Sequence, residues 1–224
     1  MPAEFSQKST PRRGLVIGAV GHRYLPDERI ALLDSISRVL DDVTGDSNEV
    51  VVLVSVAEGA DRLIIEAAAL LGIPYTCVLP CPADRFEEDF SGASSILEFR
   101  RFLTGASKVV QPENEPSDRI SGYLWASHFI VDRADTLIAV WDGQPANGPA
   151  GTGYAIEEAG VRCVPVIWIP TEAPHEPIAL ELATSTFDEF TRPIRQPVER
   201  PFRCGASAET GRTSRCAEPA DRGR

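Results

Sequence analysis

The sequence predicts an α/β fold: a mainly parallel sheet wound on both faces by helices, in three layers, as one domain with a tail. Two observations carry this. The apolar runs Val50–Ser55 and Leu137–Trp141 are short and end in polar residues, as expected of strands covered on both faces of a parallel sheet. Each is followed by a glycine-bearing turn and then a segment of helical period, and repeated βα units of this length imply parallel strands joined by crossover helices.

Taken in order, Leu15 to Val20 reads as the first strand, leading into Gly21-His22-Arg23. Asp27 to Val43 reads as a helix, with Ile30, Leu33, Ile36, Leu40 and Val43 on one stripe. Val50–Ser55 follows as a strand, and Val56 to Ala60 as a turn. The helix Asp61 to Leu71 has Asp61 as a possible cap, and Gly72 with Pro74 ends it. Pro74 to Leu79 is the third strand, stopped by Pro80-Cys81-Pro82. Phe86 to Phe90 and Ser94 to Leu103 read as a helical excursion, and Lys108 to Gln111 as a short strand. Asp118 to Val131 is a helix with Arg119 and Tyr123 one turn apart on one face. The strand ending at Trp141 runs into Asp142 and a turn with four glycines in the eleven residues 143–153. A helix then starts with Thr152 at its cap, and Val164 to Ile169 is the last strand. Trp125 and Trp168 read as core.

Composition limits what this domain can be. With 224 residues, 43% of them hydrophobic, the chain can bury one core, and a single domain is expected over residues 14–190, between a flexible start, 1–13, and a disordered tail, 191–224. No run approaches the roughly 18 apolar residues of a membrane helix, and Met1 to Arg13 has no apolar signal region, so a cytoplasmic protein without a membrane partner is expected. Five scattered cysteines and three histidines give neither a disulfide framework nor a metal spacing, and no metal or cofactor is expected. The net charge is −11, while the tail from Thr191 carries eight Arg against four acids. An acidic body argues against DNA as a partner, because duplex binding rests on neutralising phosphates.

The candidate site follows from the strand exits. In an open parallel sheet, ligands bind outside the carboxyl ends of the strands, near the point where strand order reverses. Asp142, Gly143, Gly151, Thr152 and Gly153 after one strand, Ser55, Glu58, Gly59 and Asp61 after another, and Gly21, His22 and Arg23 after a third therefore face one cleft. Glycines let the backbone approach a ligand, and a helix N-terminus favours phosphate. The plain alternatives are an ordinary strand-to-helix turn, an N-cap at Asp61 and a solvated Glu58. Arg119 could balance a phosphate or sit in a surface pair. Tyr123 could stack on a base or pack on the sheet.

Gly21-His22-Arg23, Ser55 to Arg62, Leu79-Pro80 with Asp89-Phe90, Arg119 with Tyr123, and Leu137 to Gly143 followed by Gly151-Thr152 together resemble the SLOG superfamily. This Rossmann-like group contains the Lonely-guy cytokinin-activating phosphoribohydrolases and the DNA-processing protein A family. The resemblance covers about Gly14 to Ile169 and is nearest to bacterial stand-alone or sensor-type members with a Gly-His-Arg start. It implies a Rossmann-like fold and a phosphate-facing turn over Ser55 to Asp61, hence binding or sensing of a nucleotide-derived small molecule, with a homodimer or a separate effector protein carrying the output. The alternative it implies is an N-glycosidase acting on nucleoside monophosphates. Lonely-guy enzymes place a Glu three residues after the turn's Thr and an Arg on the preceding helix. Here those places hold Ala155 and, by the family's spacing, Ala126 or a neighbour. Glu58, Glu157, Glu158 and Arg119 remain the candidate catalytic groups.

Overall fold

The computed structural model describes residues 14–26, 29–47, 49–146, 148–172 and 176–180. The readings of a flexible start and a disordered tail lie outside them. Strands β1 (Leu15–Gly21), β2 (Val50–Val54), β3 (Tyr75–Val78), β4 (Lys108–Val110), β5 (Thr136–Trp141), β6 (Val166–Pro170) and β7 (Ile178–Leu180) form one sheet in the order β4-β3-β2-β1-β5-β6-β7. All neighbours are parallel except β6 and β7. The predicted α/β class is the observed one. The edge strand β7 was not foreseen, because three residues show too little alternation to read as a strand.

Helices α1 (Arg29–Thr44), α2 (Ala60–Leu70), α3 (Ala83–Phe86) and α4 (Ala93–Gly105) accompany the first half of the chain; α5 (Arg119–Val131) and α6 (Thr152–Val161) accompany the second. Period-two alternation divides the strands between two cores. Ile138 and Val140 of β5 join Leu32, Ile36, Leu63 and Ile64 of α1 and α2, whereas Leu137, Ala139 and Trp141 join Ala126, Ile130 and Ile156 of α5 and α6. This two-sided burial is why β5 reads as a continuous apolar run. The α1 stripe is rotated from the predicted one. Leu32, Ile36, Val39 and Leu40 are buried, while Ile30 is 85% exposed, so the core face starts two residues later.

The chain builds outward from β1 to β4, returns through α5, and lays β5 on the other side of β1. Strand order therefore reverses between β1 and β5, where the exits of both strands leave a crevice. Cys163 is disulfide-bonded, which the scattered cysteine spacing did not suggest, and Cys77 and Cys81 are free thiols. No helix among the described residues is long and apolar enough to cross a membrane.

Candidate functional site

At the crevice the β1 exit and the start of α2 are in backbone contact. A Cβ on Gly59 would lie 2.2 Å from the Arg23 carbonyl oxygen and 2.5 Å from that of His22, and Gly59 has φ +88°. A Cβ on Gly21 would lie 2.3 Å from that of Ala60. The Ala60 N–H donates to the His22 carbonyl at 2.9 Å. Between β2 and α2, Val56 sits at φ 69°, a backbone region costly for a β-branched residue. Its side chain is buried, and the next N–H, of Ala57, donates to Asp61 Oδ2 at 3.1 Å. Asp61 is thus no N-cap. Gly59 holds that position, and Asp61 lies 4% exposed inside the first turn. Burial pushes its carboxyl up to about 7, against the opposing pull of the Ala57 hydrogen bond, Arg23 and Arg62. The Ser55 to Asp61 turn is consequently packed from within by the His22 carbonyl and the Asp61 carboxyl.

The second helix start differs. Gly151 is the N-cap of α6 and Thr152 is its first helical residue, so the cap falls one place earlier than predicted. Thr152 Oγ1 lies 3.5 Å from His22 Nδ1, and His22 Nε2 lies 2.9 Å from Asp142 Oδ1. Asp142 Oδ1 also accepts the Gln144 N–H at 2.9 Å. Burial raises the Asp142 carboxyl, but the His22 and Gln144 hydrogen bonds outweigh it and hold it below the usual range. Two of the three strand exits predicted to share a cleft, those of β1 and β5, come together here, and a Cβ on Gly151 would touch nothing within 4 Å. Gly143 and Gly153 serve packing instead. Gly143 has φ +82° against the Trp168 ring, and a Cβ on Gly153 would lie 2.8 Å from the Ala146 nitrogen.

Beside this corner opens a cleft of about 680 Å³, with Arg23, Gly59, Arg62, Phe90, Ser91 and Ser95 among its walls. Glu58 closes one side. Its Oε1 accepts the Ser91 N–H at 2.9 Å, the Ser91 hydroxyl at 2.6 Å and the Ser95 hydroxyl. Burial raises its carboxyl, yet these hydrogen bonds and the Arg62 charge outweigh that and bring it down to about 2. Arg62, 3% exposed, donates from Nη1 to Ser95 O at 3.1 Å, Ser95 Oγ at 2.9 Å and Glu98 Oε2 at 2.7 Å. Its guanidinium lies 4.8 Å from the Phe90 ring centroid. Arg62, Phe90, Ser91 and Ser95 were not among the predicted site residues. The available signal was the Ser91 to Ser95 stretch of small polar residues ahead of an apolar helix.

Other predicted groups are engaged elsewhere. Arg119 pairs with Glu88 at 2.8 Å and with Asp89, and the Tyr123 hydroxyl donates to Asp89. Tyr123 packs edge-on to Phe86, with centroids 6.1 Å apart, so its ring belongs to an aromatic cluster. Glu158 pairs with Arg162 and lies 3.4 Å from His128 Nε2. Glu157, raised by burial and by Glu158, is five residues beyond Thr152, about 7.5 Å along the axis and about 140° around it. Ala155 and Ala126, at the places of the resembled enzymes' Glu and Arg, are each 2% exposed. Ser55 is half-buried at the β2 exit.

Neither a family model nor a curated protein sequence matches the chain. Solved structures do. DNA processing protein A from Streptococcus pneumoniae superposes with a TM-score of 0.52 at 16% identity, over 72% of this chain and 52% of that one. The chain shares the Rossmann-like fold of that protein over the matched part. It spans about half the length of the pneumococcal protein. DNA processing protein A from Helicobacter pylori, described for its single-stranded DNA binding mode, matches at 13% identity over 72% of this chain and 67% of that one, with a TM-score of 0.48.

These findings correct the argument against DNA. The fold is that of a DNA processing protein, so the acidic balance of the whole body does not decide the matter. Binding of a single strand depends on the potential and aromatic faces of one groove, which net charge does not describe.

Proposed function

We propose that this domain binds a phosphorylated, nucleotide-derived small molecule at the β1 and β5 exits, with its phosphate on the N-terminus of α6. The convergence of His22, Asp142 and Thr152 around the open face of Gly151 carries this reading. The first N–H groups of a helix are unpaired donors at the positive end of its dipole, and an imidazole with Nε2 against a carboxylate turns Nδ1 towards them, a further donor when the ring is protonated. The adjoining cleft has the volume of a small-molecule site.

The glycosidase alternative has less support. Cleavage of an N-glycosidic bond needs a carboxylate and a cation free to meet the sugar. Glu58 is tied to two serines, Glu158 to Arg162, and Arg119 to Asp89 and Glu88. Purified protein incubated with adenosine monophosphate, its isopentenyl derivative or cyclic ADP-ribose should release no free base above background. One of these ligands should raise the melting temperature in step with its concentration. Base release that stops in Glu157→Gln or Glu58→Gln would overturn the binding reading.

Placement of the phosphate has its own test. Gly151 has φ −94° and ψ 177°, an extended conformation open to any residue. Gly151→Val should therefore leave the melting temperature within a few degrees while removing phosphate binding in calorimetry. Thr152→Ala should weaken binding by about 1 kcal/mol. Unchanged affinity in Gly151→Val would move the phosphate elsewhere.

A second reading, a single-stranded nucleic-acid segment in the same cleft, is favoured by Tyr24. That ring is 87% exposed beside Arg23 and Arg29 on the cleft wall, an aromatic face next to cations. Fluorescence anisotropy with a labelled oligothymidylate, repeated on Tyr24→Ala, tests it.

A further inference from the structure

We propose that the first turn of α4 is a second anion-binding site, for a phosphate or carboxylate group, and that the Glu58 side chain is its built-in occupant. The donors there already hold an anion. The Ser91 N–H and the Ser91 and Ser95 hydroxyls all converge on one oxygen, Glu58 Oε1. Gly92, the N-cap of α4, has φ 131° and nothing within 4 Å of where a Cβ would stand, and its neighbours Ser91, Ser94 and Ser95 line the cleft.

An independent observation points to the same place. Arg62 is 3% exposed and reaches the first turn of α4 with Nη1 alone, while its Nε and Nη2 are buried without a hydrogen-bond partner. A buried guanidinium with two unmet donors costs free energy, and an anion with several acceptor oxygens would satisfy them. Glu58 brings one accepting oxygen to the serines, whereas a phosphate has enough oxygens to serve both serines and an unpartnered Arg62 nitrogen. Glu58 has solvent on one side, at the mouth of the cleft, and needs only side-chain rotation to leave. A ligand anion entering from the cleft therefore competes with Glu58, and the measured affinity is the difference between the two.

This site stands apart from the α6 site of the preceding section, and the two can be tested separately. In the full chain carrying Gly151→Val, which removes the α6 site, inorganic phosphate is titrated by calorimetry with Glu58 either kept or changed to Ala. Vacating the turn should tighten phosphate binding by about tenfold or more, the scale of one charge-assisted interaction. Adding Ser91→Ala and Ser95→Ala should abolish the gain. If Glu58→Ala does not fold, Glu58→Ser, which also vacates the turn, carries the same comparison. No gain in a folded variant overturns the proposal. If the single Gly151→Val change leaves phosphate binding untouched while Glu58→Ala still tightens it, the α6 reading fails and this one stands.

Discussion

Gly59→Ala should destabilise the domain by about 3 kcal/mol or more, the sum of a residue forced into the left-handed region and an overpacked contact. Gly59 has φ +88°, and the added methyl would fall 2.2 Å and 2.5 Å from two carbonyl oxygens of the β1 exit. Those carbonyls are backbone, directly after β1, where the His22 N–H is held by the Val140 carbonyl of β5. The Ala60 to His22 hydrogen bond would break with them, displacing His22 from Asp142 and Thr152. Urea unfolding of Gly59→Ala beside Gly72→Ala separates the two causes. Gly72 has φ +69° but nothing within 4 Å of its Cβ position, so its variant should lose only about 1 kcal/mol. Equal losses at the two positions would mean that the close approach contributes nothing.

The second large effect concerns pH. In the folded chain, burial holds the Asp61 carboxyl at about 7, against an ordinary value of 3.8. Below the ordinary value both states are protonated, and Asp61 places no penalty on folding. As pH rises through the window between the two values, the unfolded chain releases a proton that the folded chain keeps, so stability falls. Above about 7 the loss levels off at roughly 4 kcal/mol, three pH units at about 1.4 kcal/mol each. Glu58 acts with the opposite sign and lower on the scale: its stabilisation is complete above its ordinary 4.5 and is lost as pH falls towards about 2. Comparing wild type with Asp61→Asn isolates the first effect. The variant keeps an oxygen for the Ala57 N–H and cannot ionise, so its advantage should grow by a few kcal/mol between about pH 4 and pH 8. A constant difference across that range would mean that Asp61 is ionised in the folded protein.

The fold was legible because each interior strand is buried on both faces and writes itself as an apolar run, as β2 and β5 do. β7 was not, because three residues at an edge take their structure from pairing with β6 rather than from their own pattern. Among site residues, Gly21, His22, Asp142 and Thr152 were found by the rule that strand exits share a crevice. Whether a residue faces outward was not readable. Asp61 and Glu58 stand three places apart in one motif, yet one is 4% exposed under the turn and the other looks into the cleft. Ion pairing was equally hidden. Arg119 and Tyr123 share a helix face as expected, but the partner that occupies both is Asp89, 30 and 34 positions earlier. The serine cradle of Glu58 comes from a segment whose sequence signals only a helix start.

The corner where His22 meets Thr152 joins positions 130 apart in the chain. Neither half of the sheet can form it, since β1 belongs to the half built outward to β4, and α6 follows the return strand β5. This pocket is therefore a late product of folding, complete only after a loop closure over 130 positions. A ligand held there would act as a clasp between the two halves. It would slow their separation, protect the β1 and β5 amides together against exchange, and make the apparent lifetime of the protein in the presence of protease depend on how much of that ligand the surroundings contain.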